Sequence, residues 1–306
     1  MAFDTTTEDV VQGVTLHGRT ILVTGASTGL GLETARALAT TGAHVVLTAR
    51  SDDKALAAEA AISGRVRGAS LEHGILDLAS LESVRTFAEW FLHAHDRLDV
   101  LINNAGVMFT PFERTAEGFE LQFGTNHLGP FLLTALLAPA LRTAAPSRVV
   151  NLSSSAHKLS DIHWADPNYQ SLPYDKFEAY GQSKTAAILF SRELDRRLGP
   201  RGVRSYAVHP GSIPTELLRH MEHDDYTALR KRTGTSGPPP PGSMKTIETG
   251  AATTVWAAIA PELAVRGGAY LCDCEISDDD AAYARDDTAA ARLWTLSEEL
   301  VGTRFA

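Results

Sequence analysis

Short apolar runs alternate with segments of helical periodicity along most of this chain, and this alternation restricts the fold more than any other feature. The apolar runs lie at 21–24, 44–49, 71–76, 100–103, 148–152, 203–208 and 269–272. The helical segments lie between them, at 30–41, about 52–62, 81–95, 126–143 and 180–198. Strands that alternate with helices form a parallel sheet with helices on both faces. The sequence therefore predicts an α/β fold with one doubly wound parallel sheet.

No linker-like segment divides the chain, so we expect a single domain over residues 1–306. With 44% hydrophobic residues, the chain can bury a substantial core. We interpret residues 1–18 as an N-terminal extension and residues 216–245 as a loop on the substrate side. The proline run at 238–241 in this loop is compatible both with a mobile surface segment and with a lid over a substrate.

Charge and cysteine content exclude several functional classes. The formal net charge is −9 and no basic run could follow a phosphate backbone, so we expect no nucleic-acid partner. The two cysteines, Cys272 and Cys274, exclude a disulfide framework, and the 11 histidines show no ligand spacing with a carboxylate. We therefore expect no metal. Without a signal-peptide pattern or an apolar run of ~18 residues, we expect a cytoplasmic protein with no membrane span.

The first apolar run ends in a glycine-rich turn, TGASTGLG at 24–31, and a helical segment follows at once. Glycines in such a turn let the backbone approach a pyrophosphate, whose charge is stabilised at a helix N-terminus. The spacing of Gly25, Gly29 and Gly31 differs from the general Gly-x-Gly-x-x-Gly fingerprint. The strand–turn–helix context is nevertheless the one that dinucleotide binding requires. The turn therefore predicts a dinucleotide site.

Tyr180 and Lys184 are four residues apart in a predicted helix, so their side chains share one helix face. A nearby ammonium favours the phenolate and lowers the pKa of a tyrosine. A general acid or base that works near neutral pH needs such a shift. The pair is therefore a candidate for proton transfer.

In their order along the chain, these motifs resemble those of the short-chain dehydrogenase/reductase family. After the glycine turn come Asn-Asn-Ala-Gly at 103–106, Ser154, Tyr180 with Lys184, and Pro210-Gly211. The resemblance extends from residue 19 to about residue 302. Segments 103–108, 117–130, 149–157 and 291–302 are most similar to the retinol-dehydrogenase-like and protochlorophyllide-reductase-like group. The resemblance implies a single-domain Rossmann-type fold.

The resemblance also implies four catalytic residues. Tyr180 would transfer the proton, while Lys184 would lower its pKa and hold the nicotinamide ribose. Ser154 would hydrogen-bond the substrate oxygen, although Ser153 and Ser155 are neighbours that could take this position. Asn126 would hold a structural water on the proton path, or it would merely cap a helix.

NADP(H) is the favoured cofactor. An acidic residue at position 49 would select NAD, but the chain has Ala49 followed by Arg50 and Ser51, which suit a 2′-phosphate. Because Thr28 adds no basic residue to the glycine turn, NAD(H) remains open. Asp77 would contact adenine or cap the next helix. By resemblance, the cofactor-binding residues are Gly25, Ser27, Thr28, Gly29, Leu30, Gly31, Arg50, Ser51, Asp77, Leu78, Asn104, Ala105, Gly106, Tyr180, Lys184, Pro210, Gly211, Ile213 and Thr215.

The activity implied is the interconversion of a carbonyl and an alcohol on a small hydrophobic substrate by hydride transfer. Two alternatives stay open: an enone C=C reductase on the same fold, and a non-catalytic NAD(P)-binding regulator. We expect a substrate pocket with these walls: His157, Trp164, Tyr169, Tyr174 and Phe177 on one side, Met108 and Phe109 opposite, and Leu217, Leu218 and Met221 as a lid.

The family commonly forms dimers or tetramers through two long helices, here 126–143 and 176–198. A homodimer or homotetramer is therefore compatible with the sequence. The tail at 291–302 and the loop at 216–245 could block these contacts, so a monomer is compatible with it too.

Overall fold

A computed structural model describes residues 3–234 and 242–305 of the chain. Eight strands form one sheet in the order β3-β2-β1-β4-β5-β6-β7-β8. Strands β1 to β7 are parallel, and only the short β8 runs antiparallel to its neighbour. The strands are β1 Thr20–Val23, β2 His44–Ala49, β3 Ser70–Ile75, β4 Val100–Asn103, β5 Ser147–Leu152, β6 Val203–His209, β7 Tyr270–Cys272 and β8 Glu275–Ile276. The expected doubly wound parallel sheet is confirmed.

Helices cover both faces of this sheet. In the described part of the chain they are α1 Thr7–Val11, α2 Gly29–Thr40, α3 Asp52–Ser63, α4 Leu81–Ala94, α5 Leu121–Phe123, α6 Gly129–Thr143, α7 Lys176–Leu198, α8 His223–Thr233, α9 Ile247–Ile259 and α10 Asp287–Val301. Within the described ranges, no helix is both long enough and apolar enough to cross a bilayer.

Two hydrophobic cores lie on the two faces of the sheet. Successive side chains of a strand point to opposite faces, so Leu22 enters one core while Ile21 and Val23 enter the other. The first core packs against α4, α6, α7 and α10, and the second against α2, α3 and α9. All four residues of β1 are buried because helices cover this central strand on both sides.

Several elements were not anticipated from the sequence. The 1–18 extension contains α1, which begins with a capping box between Thr6 and Asp9. The 216–245 segment contains α8, whereas its proline run at 238–241 lies outside the described residues. The C-terminal tail forms α10, whose Trp294 is buried in the first core. The sequences of these three elements indicate secondary structure less clearly than the apolar runs of the strands do.

The order in which the chain adds strands to the sheet reverses between β1 and β4, which are parallel neighbours. From β1 the chain continues outward to β2 and β3, and from β4 it continues the other way. Such a switch point leaves a crevice at the carboxyl ends of the strands, where doubly wound proteins bind their ligands. The glycine turn follows β1 directly into this crevice.

Candidate active site

The glycine turn is shaped for an anion. Gly25 and Gly29 adopt φ angles of 63° and 56°, which other residues rarely adopt. Helix α2 starts at Gly29, and Thr28 at its N-cap makes no side-chain hydrogen bond to the first turn. The N–H groups of that turn are therefore free of a cap, and a pyrophosphate is the kind of group they can bind.

Asn104 fixes the turn from the neighbouring strand. Its Nδ2 donates to the carbonyl oxygens of Thr24 at 2.8 Å and Gly25 at 3.2 Å. In return, the Thr24 hydroxyl accepts from the backbone N–H of Asn104 at 3.0 Å and of Ala105 at 3.1 Å. These four hydrogen bonds join the carboxyl ends of β1 and β4. The motif at 103–106 thus holds the turn in shape.

Gly31 leaves no room for a side chain. A Cβ atom there would lie 2.3 Å from the Gly25 oxygen and 2.4 Å from Asn104 Nδ2. At Gly29, by contrast, a Cβ would meet nothing closer than Thr215, at 3.8 Å. Gly31 therefore serves packing inside the turn, and Gly29 keeps its outer side open. The residues present fit a dinucleotide.

The loop after β6 faces this turn. It starts with Pro210 and Gly211, the latter at a φ of 94°. Further along, Ile213 and Leu30 both lie against Gly250 of α9, and Thr215 is the neighbour of Gly29 described above. The structure thus brings this loop and the glycine turn together, as the assigned cofactor residues require.

At the end of β2, Ala49 is buried and Arg50 is exposed. Ser51 occupies the N-cap of α3, and its hydroxyl does not cap the helix. Within residues 3–234 and 242–305, the Arg50 side chain has no ion-pair partner. The guanidinium, the free hydroxyl and the start of α3 therefore lie together at the carboxyl end of β2.

Asp77 and Leu78 follow β3 at the same edge of the sheet. Asp77 Oδ1 accepts from the N–H of Ala79 at 3.0 Å, whereas the cap of α4 is Ser80. The interpretation of Asp77 as the helix cap is therefore wrong. Leu78 is buried against Gly129 of α6, where a Cβ would lie 2.5 Å from the Leu78 oxygen.

Tyr180 and Lys184 lie on the buried face of α7. They are only 3% and 5% exposed, and Lys184 Nζ is 5.4 Å from the centre of the tyrosine ring. The ammonium donates to the Leu152 carbonyl oxygen at 2.9 Å, at the end of β5. Helix spacing and a strand-end carbonyl together fix the lysine beside the phenol.

Ser154 is the serine that reaches Tyr180. Ser153 donates its hydroxyl to the Lys184 carbonyl oxygen at 2.8 Å, and Ser155 is exposed. The Ser154 hydroxyl, in contrast, lies near enough to the Tyr180 phenol to lower its pKa, and it also accepts from the N–H of Ala156 at 3.1 Å. Of the three candidates, Ser154 therefore has the geometry needed to share a substrate oxygen with Tyr180.

The expected lowering of the Tyr180 pKa is wrong for this structure. Burial raises the pKa of the phenol above its ordinary value, and the nearby Ser154 hydroxyl, which lowers the pKa, opposes this only in part. Burial also lowers the pKa of Lys184 from 10.5 to about 8. At neutral pH, Tyr180 is therefore a protonated phenol. In this state it can donate a proton.

Asn126 lies in a π-helical turn, Gly124–Leu128, between α5 and α6. Its amide pairs with Val107 twice, accepting from the N–H at 2.8 Å and donating to the carbonyl oxygen at 2.9 Å. The interpretation as a helix cap is wrong because Asn126 is inside the turn, where π-helical geometry often marks a functional site. A Cβ on Gly106 would lie 3.0 Å from Asn126 Oδ1 and 3.8 Å from Lys184 Nζ. Gly106 thus leaves a space that both side chains face.

An aromatic cluster covers Tyr180 on the substrate side. The ring of Phe109 lies 5.0 Å from that of Tyr180 and 4.7 Å from that of Phe177, measured between centroids. Phe109 has a φ of 51°, a strained value for a bulky residue. Met221 and Leu229, from the 216–245 segment, pack against this cluster. Part of that segment therefore lies over the candidate catalytic tyrosine.

Two of the predicted pocket-wall residues lie elsewhere. His157 is fully buried; its Nδ1 is 2.6 Å from the Ser154 carbonyl oxygen and its Nε2 accepts from the N–H of Ala281 at 3.0 Å. Trp164 packs on the first core and carries Arg292 over its ring at 4.3 Å. Both predictions are wrong because aromatic residues in a loop serve packing as readily as recognition.

Comparison with known proteins agrees with this geometry. Residues 19–225, more than half of the chain, match the short chain dehydrogenase family. Retinol dehydrogenase 13 of Homo sapiens is 44% identical over 295 residues, covering 94% of this chain and 86% of that protein. Retinol dehydrogenase 12 of Homo sapiens is 41% identical over 292 residues, covering 95% and 89%. The chain belongs to the short-chain dehydrogenase/reductase family, in its retinol-dehydrogenase-like group.

Solved structures share the fold. An uncharacterized protein from Mycobacterium paratuberculosis superimposes with a TM-score of 0.75 at 35% identity, over 97% of this chain and 98% of that one. RhlG of Pseudomonas aeruginosa, in an active-site complex with NADP, gives a TM-score of 0.65 at 27% identity, over 88% and 98%. The expected enzyme class is confirmed: the chain is an NAD(P)-dependent oxidoreductase that acts on CH–OH or C=O groups.

Proposed function

We propose that this enzyme reduces the carbonyl group of a lipophilic aldehyde or ketone, oxidises the corresponding alcohol in reverse, and prefers NADP(H). The observation that carries the proposal is that the Ser154 and Tyr180 hydroxyl groups lie near each other, with Lys184 Nζ 5.4 Å from the centre of the tyrosine ring. Two hydroxyl groups that meet at one point can both donate to a single substrate oxygen. This is the arrangement that polarises a carbonyl.

Tyr180 is the general acid in the direction of reduction. Its phenol is protonated at neutral pH because burial raises the pKa, so it can pass a proton to the oxygen as negative charge develops there. Ser154 stabilises the same charge with its hydroxyl. A bound nicotinamide dinucleotide supplies the hydride for reduction and accepts it for oxidation.

Lys184 and Asn126 support Tyr180. The ammonium of Lys184 is held near the phenol by the Leu152 carbonyl oxygen, and its charge favours the phenolate once the proton has left. Lys184 and Asn126 face a common space at Gly106. We assign to this pair the return of a proton to the phenol.

The preference for NADP(H) is supported by the residues after β2. Arg50 and Ser51 would hold a 2′-phosphate, because the guanidinium is exposed and forms no ion pair with any other described residue, and the hydroxyl does not cap α3. Buried Ala49 offers no carboxylate that would repel that phosphate. RhlG, with 27% identity, was solved with NADP.

The substrate class is supported by the cluster over Tyr180 and by the relatives. Phe109, Phe177 and Met221 make the surroundings of the phenol apolar, which suits a lipophilic substrate. Relatives at 41% to 44% identity are named retinol dehydrogenases. We therefore propose a substrate of the chemical class of retinal and retinol, a long apolar chain that ends in an aldehyde or a primary alcohol.

The enzyme is proposed to be a monomer. Helix α7, one of the two helices expected to join subunits, is buried along most of its length, and α10 of the same chain packs on it. The ring of Trp294 lies 5.9 Å from that of Phe190, with Arg197 at 4.5 Å above it. Sedimentation equilibrium should give a mass of 32.9 kDa; a dimer mass would contradict the proposal.

The test of the function is NADPH oxidation with lipophilic aldehydes, ketones and enones, for the wild type and for Tyr180→Phe. We expect Tyr180→Phe to lower kcat/KM by about 10²- to 10⁴-fold, the usual contribution of a general acid. The matched control is Tyr206→Phe, which removes a buried hydroxyl in the second core, where it donates to the Leu263 carbonyl oxygen. This variant should keep wild-type activity.

Three outcomes would contradict the proposal. Saturation of an enone with its carbonyl intact would identify a C=C reductase. Turnover that survives Tyr180→Phe would remove Tyr180 as the acid. Tight NADPH binding without turnover on retinal and on the rest of the panel would favour a regulator.

A further inference from the structure

Two imidazoles and a carboxylate meet at the edge of the sheet opposite the active site. His44 begins β2, Glu72 lies in β3 and His95 follows the last turn of α4. Glu72 Oε2 is 3.2 Å from His44 Nε2 and 3.0 Å from His95 Nε2. All three donor atoms lie within 4.8 Å of one another. The residues are far apart in the sequence, so their spacing gave no metal-ligand pattern.

The orientation of the rings is fixed by their surroundings. His44 Nδ1 is 2.8 Å from the hydroxyl of Ser70, and this contact turns Nε2 of the same ring toward Glu72. His95 packs against Phe91, with 4.7 Å between ring centroids. Outer partners of this kind set the tautomer and direction of histidine ligands.

His95 Nε2 carries the strongest indication of an additional ligand. This atom is buried and has no hydrogen-bond partner among residues 3–234 and 242–305. Although Glu72 Oε2 is only 3.0 Å away, the two groups are not aligned as a hydrogen bond. Buried polar atoms in folded proteins normally have a partner. A metal ion between the three donors would provide one.

We propose that His44, Glu72 and His95 bind a divalent transition-metal ion of the Zn²⁺ class. Zinc is bound by histidine nitrogen and carboxylate oxygen at about 2.0–2.2 Å in tetrahedral geometry. Donors around such an ion are therefore separated by somewhat more than 3 Å, close to the separations of Glu72 from the two rings. The three side chains are 29%, 34% and 14% exposed, so an ion can reach them from solvent.

The site is structural. The active site lies at the carboxyl ends of the strands, whereas His44 lies at the amino end of β2. A bound ion would join β2, the edge strand β3 and helix α4 at one point. A ligand that binds the folded state alone stabilises that state.

The experiment is calorimetric titration of Zn²⁺ into protein freed of metal with a chelator and dialysed. We expect one ion per chain in the wild type, and binding at least about tenfold weaker in both His95→Ala and Glu72→Gln. The Tm of the wild type should rise on addition of Zn²⁺, and the Tm of the two variants should not. Circular dichroism and NADPH oxidation show whether each variant is folded, since neither residue belongs to the active site.

His73→Ala is the matched control. His73 also contacts carboxylates, but Asp52 and Glu59 lie 3.1 Å from its two different ring nitrogens, so they do not converge with it on one point. This variant should bind Zn²⁺ like the wild type. Absence of binding in the wild type, or binding that is equally strong in His95→Ala and Glu72→Gln, would overturn the proposal.

Discussion

The glycine turn at 24–31 and the aromatic cluster of Phe109, Phe177 and Tyr180 lie at the same edge of the sheet but differ in what forms them. The turn is made of main chain: left-handed glycines, an uncapped helix start and hydrogen bonds from Asn104 to carbonyl oxygens. The cluster is made of side chains from separate segments, with Met221 and Leu229 added from the 216–245 segment.

The two regions differ because their proposed ligands have different requirements. A pyrophosphate must approach the backbone closely, so the turn depends on the absence of side chains at particular positions. A lipophilic substrate needs only an apolar surface of suitable shape, which many combinations of side chains provide. We therefore expect the turn to tolerate almost no change and the cluster to change its preferences while the fold persists. The following predictions test this contrast from the largest effect to the smallest.

Lys184 lies between the two regions, and its replacement by methionine should abolish turnover while stabilising the protein. Burial lowers the pKa of Lys184 to about 8 from 10.5. The folded state therefore binds fewer protons than the unfolded state between these two pH values, so stability rises with pH across that window. Below about pH 8 the folded state carries the full free-energy cost of the buried ammonium. At 1.36 kcal/mol for each pKa unit, this cost is on the order of 3 kcal/mol.

Lys184→Met has no buried ammonium and therefore lacks this free-energy cost. Its free energy of unfolding should exceed that of the wild type at pH 7, and the difference should shrink from pH 8 towards pH 10.5. Urea unfolding of both proteins at several pH values measures it. A variant that is less stable than the wild type at pH 7 would show that the buried ammonium does not destabilise the folded state. A stability difference between the two proteins that does not change with pH would show the same.

Gly31→Ala should damage the turn with a single methyl group. The added Cβ would lie 2.3 Å from the Gly25 oxygen, so the backbone of the turn must move. Overpacking of this kind costs about 1–3 kcal/mol, and we expect NADPH affinity to fall roughly ten- to hundredfold. Fluorescence titration of NADPH gives the Kd. Gly64 lies at the end of α3, where an added Cβ would have its nearest contact at 3.3 Å. Gly64→Ala should therefore bind NADPH normally. Equal Kd values for the two variants would contradict the proposal that the turn depends on its main chain.

The same contrast explains what the sequence could predict. The seven parallel strands lie within a residue or two of their predicted positions, because residues such as Ile21 and Leu22 are buried on both sides of the sheet and must be apolar. The short antiparallel β8 was not predicted. The contacts at the glycine turn join short motifs at the ends of neighbouring strands. Asn104 therefore lies where its motif predicts, and so does Gly31. In both cases local sequence determines local geometry.

The substrate side was less predictable, because its contacts depend on tertiary packing. His157 and Phe177 come from one stretch of loop and helix, yet His157 is buried beneath Ser154 and Phe177 lies beside Tyr180. The predicted lowering of the Tyr180 pKa is wrong for a related reason. Spacing predicts its distance from Lys184, but the degree of burial that dominates the pKa is not encoded in that spacing.

Arg50→Asp tests the charged side chain that is proposed to hold the 2′-phosphate of the cofactor. Loss of charge-assisted hydrogen bonds costs about 1.5–3 kcal/mol, so the ratio of kcat/KM for NADPH to that for NADH should fall by roughly 10- to 100-fold. Arg67→Asp, also an exposed arginine, makes the same charge reversal elsewhere and should leave the ratio unchanged. An unaltered ratio in Arg50→Asp would remove Arg50 from the cofactor site.

Asp225→Asn should have the smallest effect and should act on the substrate side alone. Asp225 Oδ2 pairs with Lys176 Nζ at 2.5 Å and thereby holds α8 near the cluster over Tyr180. A partly exposed ion pair contributes about 0.2–1 kcal/mol, so KM for a lipophilic aldehyde should rise by no more than about fivefold. The Kd of NADPH should not change, because the glycine turn makes no use of α8.

Asp279→Asn breaks a more exposed pair with Lys158 and serves as the control with wild-type KM. If Asp225→Asn instead weakened NADPH binding as much as substrate binding, the two regions would not be separable, and the contrast drawn between them would fail.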